Sequence, residues 1–206
     1  MLLKPPSPSS PQPPQTPPGQ RLVRNLPVLH FGEVPRIDPS KWSLQIFGLV
    51  EAAKSFTYQE ILALPSRTQT ADIHCVTGWS RLNTTWTGIP IPEILRLAPP
   101  SPSAGYVLIH APGGWSTNLP LDDFARKDVL LAHSFDAKPL TPEHGYPLRL
   151  VVPHLYFWKS AKWVTGIEYT AENSPGFWEQ AGYHLRGDPW QEERYRDDPD
   201  WLLGRD

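Results

Sequence analysis

The sequence at residues 68–80 is TQTADIHCVTGWS, and this stretch contains the only cysteine of the chain, Cys75. Residues 68–76 are predicted to form a strand that ends at this cysteine. Gly78 and Trp79 follow in the next loop. Loops after strands often carry functional side chains because a rigid scaffold positions them. Any chemistry of the chain is therefore expected near Cys75.

The segments around this stretch are short and mostly extended. In residues 41–50 apolar side chains occupy alternate positions, which predicts a half-buried strand. Thr57 and Glu60 match a capping box, which predicts a short helix that Pro65 ends. Extended or apolar runs follow at 106–110, 129–135, 148–152 and 162–170, and short helices are predicted at 92–97, 122–127 and 175–182. Because strands outnumber helices and do not alternate with them, the sequence predicts an α+β domain with a β-rich core.

Composition excludes several classes of protein. Nineteen basic and 21 acidic residues give a net charge of −2, too balanced for a nucleic-acid binder that relies on bulk positive charge. No apolar run approaches the roughly 20 residues of a membrane span. One cysteine excludes an internal disulfide, a zinc ribbon and a cysteine-ligated cluster. The common nucleotide-binding, hydrolase and zincin motifs are absent.

The chain is predicted to have two parts. Eight of the first 20 residues are proline, so residues 1–20 are expected to be a disordered, Pro-rich tail. Residues 21–206 are enough for one domain with a substantial core. Prolines interrupt the apolar stretch that a secretory signal needs, so a cytoplasmic location is expected.

Cys75 has two interpretations from its surroundings alone. A lone cysteine is usually a small buried hydrophobe. A functional thiol needs a cation, a base or a metal, because a free thiol is only about 3% thiolate at pH 7. His74 lies on the opposite side of the strand and is a poor activator. Trp79 is expected either in the core or as a wall of a substrate site, and Arg81 either at the surface or as a cation that attracts an anionic substrate.

Basic residues recur in the apolar region 142–170. Arg149 begins an apolar strand, and Lys159 and Lys162 lie among aromatic residues. Such a pattern is typical of lysines whose stems cover an apolar surface, or of an anion site in an apolar pocket. The paired carboxylates of Asp122 and Asp123 are expected at a solvated surface.

Five motifs in order resemble the sulfite-oxidase-type molybdopterin oxidoreductases. They are CVTGWS from Cys75, WTGIP from Trp86, NLPL from Asn118, PEHGYPLRLVVP from Pro142 and KSAKWV from Lys159. The resemblance extends over nearly the whole predicted domain. It is greatest to stand-alone sulfite-oxidase-like catalytic domains, which are similar to the catalytic subunit of bacterial methionine sulfoxide reductase.

The resemblance implies a cofactor and a set of residues that bind it. It implies the sulfite-oxidase molybdopterin-binding fold, with Cys75 as a thiolate ligand to one molybdenum per chain and the dithiolene sulfurs of one molybdopterin as further ligands. A soft thiolate agrees with such a site. The other residues that it implies for the pterin and its phosphate are Leu29, His30, His110, Ala111, His144, Arg149, Ser160, Ala161 and Lys162.

The activity implied is a two-electron oxygen-atom transfer on a small substrate such as sulfite or a sulfoxide. The chain has no haem, cluster or dinucleotide motif of its own, so a separate electron-transfer protein is expected, either a haem protein or a soluble carrier. The chain also lacks the C-terminal dimerisation domain of sulfite oxidases, so a monomer is expected. Two alternatives stay open: a non-catalytic binding domain that retains the fold, and a cysteine hydrolase that uses Cys75.

Overall fold

A computed structural model of the protein describes residues 16–196, so residues 1–15 of the predicted Pro-rich tail lie outside the described residues. The described residues form eleven strands in two sheets, together with four short α-helices. The strands are β1 (Arg21–Leu22), β2 (Ser43–Gly48), β3 (Lys54–Thr57), β4 (Arg67–Cys75), β5 (Trp79–Pro90), β6 (Tyr106–Ala111), β7 (Trp115–Pro120), β8 (Leu130–Phe135), β9 (Lys138–Pro139), β10 (Arg149–Val151) and β11 (Gly166–Thr170). The helices are α1 (Tyr58–Ala63), α2 (Ile91–Leu97), α3 (Leu121–Phe124) and α4 (Phe177–Gln180).

The two sheets are mixed and divide the chain between them. The first sheet has the order β1-β5-β8-β10, with β4 paired to β5 and β9 paired to β8. The second has the order β3-β2-β11-β6-β7. Parallel pairs occur between β1 and β5 and between β2 and β11, whereas the other pairs are antiparallel. The predicted α+β class with a β-rich core and short helices is confirmed.

Local signals account for several of these elements. The side chain of Thr57 accepts a hydrogen bond from the Glu60 backbone, and the Glu60 carboxylate accepts one from the Thr57 backbone, so the predicted capping box begins α1. In β2 the alternating Leu44 and Ile46 are fully buried, as the period of two predicts. Helix α2 carries a proline in its first turn, where the missing N–H costs nothing.

Other predicted elements differ from the structure. The helix expected at 122–127 is only the four-residue α3, which begins one residue earlier. The strand expected at 162–170 is confined to residues 166–170, because Trp163 has a positive φ of 55° and turns the chain before β11 begins. Strands β5 and β7 were not predicted, since polar residues interrupt the apolar pattern of both.

Two clusters of buried apolar residues form the core. The larger one includes Leu44, Ile109 and Ile167 from the second sheet. The smaller one surrounds the end of β4 and includes Cys75 and Trp86. Here β5 and β8 approach each other so closely that a Cβ on Gly88 would lie 2.2 Å from the Leu131 carbonyl oxygen. No helix within residues 16–196 has the length and apolar character to cross a membrane.

Candidate active site

A cavity of about 350 Å³ lies beside the end of β4. Ten of the twelve residues singled out from the sequence line it: Leu29, His30, Cys75, Trp79, Ala111, His144, Arg149, Ser160, Ala161 and Lys162. Residues more than 130 positions apart in the chain therefore meet around one space. The resemblance grouped these residues, and the fold brings them together.

Cys75 stands on the wall of this cavity at the C-terminal end of β4. Its side chain is only 7% exposed, and Sγ lies 3.2 Å from Oγ1 of Thr77. Burial raises the pKa of the Cys75 thiol, so the unassisted group is protonated at neutral pH. His74 bonds instead to Oγ of Ser80, between Nδ1 and Oγ at 2.8 Å, and no histidine among residues 16–196 hydrogen bonds to Sγ. The hydrogen-bonded thiol and base of a cysteine hydrolase are thus not formed by the described residues.

Arg149 is a buried cation without a carboxylate partner. It is 1% exposed, and its guanidinium lies 4.5 Å from the centre of the Phe157 ring. Nη1 donates to the His144 carbonyl at 3.0 Å and Nη2 to the Ser160 carbonyl at 2.9 Å. Within residues 16–196 no ion pair includes Arg149. Burial without a counter-charge lowers the pKa of Arg149 to about 9.

Lys162 is a second cation on the cavity, and it is partly buried. Nζ donates to the carbonyls of Leu29 and Glu143 at 2.8 and 2.7 Å, and Lys162 has no ion pair among the described residues. Burial, with a smaller contribution from the charge of Arg149, lowers the pKa of Lys162 to about 7. Two unpaired positive charges on one cavity are costly unless an anion joins them. The cavity is therefore suited to an anionic ligand.

Two buried ring nitrogens on cavity residues also lack partners. Nε1 of Trp79 makes no hydrogen bond within residues 16–196, and neither does Nε2 of His144, although the Leu26 backbone lies close to that ring. Nδ1 of His144 is paired with Oγ1 of Thr141 at 3.0 Å. Burial lowers the pKa of His144, which keeps the ring neutral at pH 7. Buried polar groups are normally satisfied, so these nitrogens indicate a ligand that would bond to them.

Three other basic residues lie away from the cavity. His110 and Ala111 are neighbours on β6, so their side chains point to opposite faces, and Nε2 of His110 bonds to Glu168 at 2.8 Å. Arg81 donates to the carbonyl of Leu82 and does not line the cavity. Lys159 is fully buried, and its Nζ lies 2.6 Å from Oε1 of Glu179. This pairing explains why Lys159 does not belong to the anion site that its spacing from Lys162 suggested.

Asp123 corrects a further expectation. It was expected at a solvated surface, but it is buried, forms an ion pair with Arg186 at 2.8 Å and accepts a hydrogen bond from Nε2 of His154 at 3.0 Å. The C-terminal segment after α4 brings Arg186 to this carboxylate. The ion pair joins that segment to α3, whereas the neighbouring Asp122 is exposed as expected.

Comparison with known proteins identifies the family. Residues 31–178, which include every predicted site residue that lines the cavity except Leu29 and His30, match the oxidoreductase molybdopterin binding domain. The chain belongs to this family. It is an enzyme, a molybdopterin-dependent oxidoreductase, and its cofactor is molybdopterin with molybdenum.

Relatives of several kinds share the domain. The chain is 53% identical over 182 residues to the uncharacterized oxidoreductase YuiH of Bacillus subtilis, covering 88% of this chain and 92% of that one. It is 28% identical to the protein-methionine-sulfoxide reductase catalytic subunit MsrP of Ralstonia nicotianae, over 68% of this chain and 47% of the relative. It is also similar to the crystal structure of the sulfane dehydrogenase SoxCD from Paracoccus pantotrophus, with a TM-score of 0.64 and 25% identity over 69% of this chain and 41% of the other. The chain thus spans about half the length of MsrP and less than half the length of the SoxCD chain.

The cavity fits the cofactor of this family. Molybdopterin carries a phosphate, and the buried Arg149 and the partly buried Lys162 are cations without ion pairs among the described residues. Its pterin ring has several hydrogen-bonding groups, and the cavity offers the unpartnered nitrogens of Trp79 and His144. Its dithiolene binds a metal that a soft thiolate also suits as a ligand, and the Cys75 thiol lines the same cavity. The donor set therefore agrees with the group.

Several aromatic residues that line the cavity were not predicted from the sequence. Trp115, Trp158, Trp178 and Tyr183 line it together with Phe31. These residues come from β7, from α4, from a 3₁₀ helix at Phe157–Lys159 and from irregular segments, and each one alone is indistinguishable from a core aromatic. The nine tryptophans of the chain were the only signal that could have indicated them.

Proposed function

We propose that the protein catalyses a two-electron oxygen-atom transfer on a small substrate such as sulfite or a sulfoxide. The observation that supports it is that Cys75, the buried Arg149 and the partly buried Lys162, two cations without ion pairs among the described residues, line one cavity of a molybdopterin-binding domain. In this proposal Cys75 is the protein's ligand to molybdenum. When bound, the cofactor supplies a centre that exchanges two electrons while an oxygen atom moves to or from the substrate.

The residues at the cationic part of the cavity hold the cofactor. Arg149 and Lys162 bind the phosphate, and each charge-assisted hydrogen bond contributes roughly 1.5 to 3 kcal/mol. Oγ of Ser160 accepts from the Val152 backbone at 2.9 Å, so its own proton is available to a ligand. His144 contributes a ring nitrogen. The backbone and side chains of Leu29, His30, Ala111 and Ala161 complete the walls around the pterin.

Aromatic side chains shape access to the proposed metal site. Trp79 is 3% exposed and packs edge to face on Phe157, with ring centres 6.0 Å apart. Such walls exclude water and strengthen electrostatic interactions inside the cavity. Arg81 lies outside the cavity, so attraction of an anionic substrate is not assigned to it.

A separate protein exchanges the electrons in this proposal. Each turnover moves two electrons, and residues 16–196 contain no cluster of three or more metal-ligating side chains that would hold a second metal. The relative MsrP is named as a catalytic subunit, which agrees with a partner for electron transfer. Whether the partner is a haem protein or a soluble carrier stays a prediction.

Metal analysis tests the proposal. Protein from a host that makes molybdopterin is expected to contain about one molybdenum per chain, and purified samples are then assayed with a panel of oxygen donors and acceptors. Cys75→Ser, which changes one atom of the site, is expected to lower the metal content or abolish turnover. Ser103→Ala, at an exposed hydroxyl, is the matched control. A Cys75→Ala variant with normal molybdenum and normal turnover would exclude Cys75 as the ligand.

A further inference from the structure

Both ends of the described chain converge on the loop that carries Cys75. From the N-terminal side, Nε2 of Gln20 donates to the Cys75 carbonyl at 3.2 Å. The next residue, Arg21, donates its backbone N–H to the Gly78 carbonyl at 3.0 Å. The loop itself closes with a bond from the Gly78 backbone to the Cys75 carbonyl at 3.0 Å. The carbonyl of the cysteine thus accepts one bond from within its loop and one from a distant segment.

Arg194 reaches the same loop from the C-terminal side. Its Nη1 donates to the Val76 carbonyl at 2.5 Å, and its Nη2 donates to the Pro18 carbonyl at 3.2 Å. The guanidinium lies 5.1 Å from the centre of the buried Tyr156 ring. Its side chain is only 20% exposed, and its ion pair with Glu192 is long, at 3.9 Å. One guanidinium therefore joins the cysteine loop to the N-terminal segment.

The segment that carries Arg194 is itself held in place. The Arg194 carbonyl accepts a hydrogen bond from the His184 backbone N–H at 3.2 Å, and the Arg196 backbone N–H donates to the Gly182 carbonyl at 3.1 Å. The ring of Tyr183, which lines the cavity, stacks on Tyr195 with centres 5.3 Å apart. These contacts fix the direction from which Arg194 approaches the loop.

We propose that Arg194 and Gln20 are positioning residues for Cys75. They hold the carbonyls of the loop so that the thiol faces the cavity, and the charge of Arg194 acts on the thiolate and on the metal that it binds. A fixed positive charge stabilises the more reduced, more negative state of a metal site, so it raises the reduction potential. This inference rests on the proposed role of Cys75 as ligand.

Three variants of the full-length, cofactor-loaded protein test the inference. Arg194→Gln removes the charge, Arg194→Lys retains it with a different hydrogen-bonding geometry, and Gln20→Ala removes one bond to the Cys75 carbonyl. Arg196→Gln removes a neighbouring exposed charge of the same segment and is the matched control. Three quantities are measured: amide hydrogen exchange of residues 75–80, the reduction potential of the molybdenum and its paramagnetic resonance spectrum.

The expected results separate positioning from charge. Arg194→Gln is expected to speed exchange in the loop by about tenfold, the effect of losing one charge-assisted hydrogen bond. It is also expected to lower the reduction potential and to change the resonance spectrum. Arg194→Lys is expected to change the spectrum while keeping the potential near that of the unchanged protein. Gln20→Ala is expected to change the spectrum and to speed amide exchange less than Arg194→Gln does. If Arg194→Gln does not fold, the result for Gln20→Ala alone decides whether the loop contacts position Cys75.

Clear results would overturn the inference. If Arg194→Gln and Gln20→Ala both left the spectrum and the potential the same as in Arg196→Gln, neither residue would position the ligand, and if only one of them did, that residue would have no positioning role. If Arg194→Lys lowered the potential as much as Arg194→Gln, the charge would have no role. Both failures differ from failure of the proposed function, because a Cys75→Ala variant with normal molybdenum content and normal turnover would contradict the ligand assignment whatever the loop variants show.

Discussion

Replacing Glu179 by glutamine is expected to destabilise the protein by about 3 kcal/mol, because it leaves a buried ammonium without its counter-charge. The Nζ of Lys159 lies 2.6 Å from Oε1 of Glu179, and both side chains are 0% exposed. The same carboxylate oxygen accepts from Thr117 and Trp158, each at 2.9 Å. The pair therefore ties α4 to β7 and to the segment that carries Trp158, a wall of the cavity.

The magnitude follows from what remains after the change. Removing one partner of a buried ion pair costs about 3 to 5 kcal/mol. Lys159 keeps two carbonyl acceptors, those of Asn118 at 2.9 Å and Leu185 at 2.6 Å. These bonds offset part of the loss and place the expected cost near the lower end. With a urea dependence of about 2 kcal/mol per molar, the unfolding midpoint falls by about 1.5 M.

Urea unfolding followed by tryptophan fluorescence measures this cost. Glu93→Gln is the control, because it breaks the exposed pair between Glu93 and Arg96 at 3.1 Å, which is expected to be worth less than about 0.5 kcal/mol. The double variant Lys159→Met with Glu179→Gln is expected to recover most of the stability, since no unpaired charge remains. A Glu179→Gln protein within 1 kcal/mol, roughly, of the Glu93→Gln protein would refute the reasoning.

The pH dependence supplies a second check with a definite sign. Burial lowers the pKa of Lys159, and Glu179 partly opposes that shift. Without Glu179 the folded-state pKa falls further below the unfolded value of about 10.4. The unfolded variant then binds more protons than the folded one, so its stability rises with pH in that window. The loss in unfolding free energy of Glu179→Gln, relative to the protein without the substitution, is expected to become smaller as the pH is raised from about 7 to about 9.

Two further predictions concern charged groups. Because the pKa of Lys162 is about 7, the cofactor-free protein is expected to bind sulfate, which does not titrate in this range, several-fold more weakly at about pH 8 than at about pH 6. Calorimetry measures this binding. Lys162→Gln is expected to abolish the pH dependence, whereas the control Lys41→Gln, at an exposed lysine, is expected to retain it. Burial would raise the pKa of Asp123, but hydrogen bonds from His154 and Arg186 outweigh it and hold the pKa well below its usual range. Asp123→Asn is therefore expected to cost about 1 to 2 kcal/mol at pH 7, a difference that acid unfolding curves should show disappearing as the pH falls below the unfolded value of about 3.9.

Elements governed by neighbouring residues were predictable from the sequence. The capping box of α1 depends on Thr57 and Glu60, three positions apart, and β2 depends on alternate apolar side chains, so the sequence contains both signals. Strand β5 could not be predicted in this way. Asn83 within it has a positive φ of 55°, and its pairing with β8 shifts register between Thr87 and Gly88. Such a strand is stabilised by partners on both sides rather than by its own pattern.

The anion site shows the limit in a different form. Lys159 and Lys162 are three positions apart among similar neighbours, and nothing local distinguishes them. Lys159 is neutralised by Glu179, 20 residues later in the chain, whereas Lys162 faces backbone carbonyls. Only the tertiary fold decides which of the two charges is left for a ligand. The cytoplasmic location and the monomeric state stay predictions, since no contact of the described residues bears on either.

His110 and Ala111 show that strand geometry could have narrowed the predicted set of site residues from the sequence alone. Adjacent residues of a strand face opposite sides, which is the argument that separates His74 from Cys75. Applied to β6, it allows only one of His110 and Ala111 to reach a given cavity. The structure places Ala111 on the wall, while His110 stacks on Phe47 with ring centres 5.5 Å apart. By contrast, Arg194 lies 119 residues after Cys75 and touches its loop through backbone carbonyls that every residue possesses, so no pattern of side chains could have indicated it.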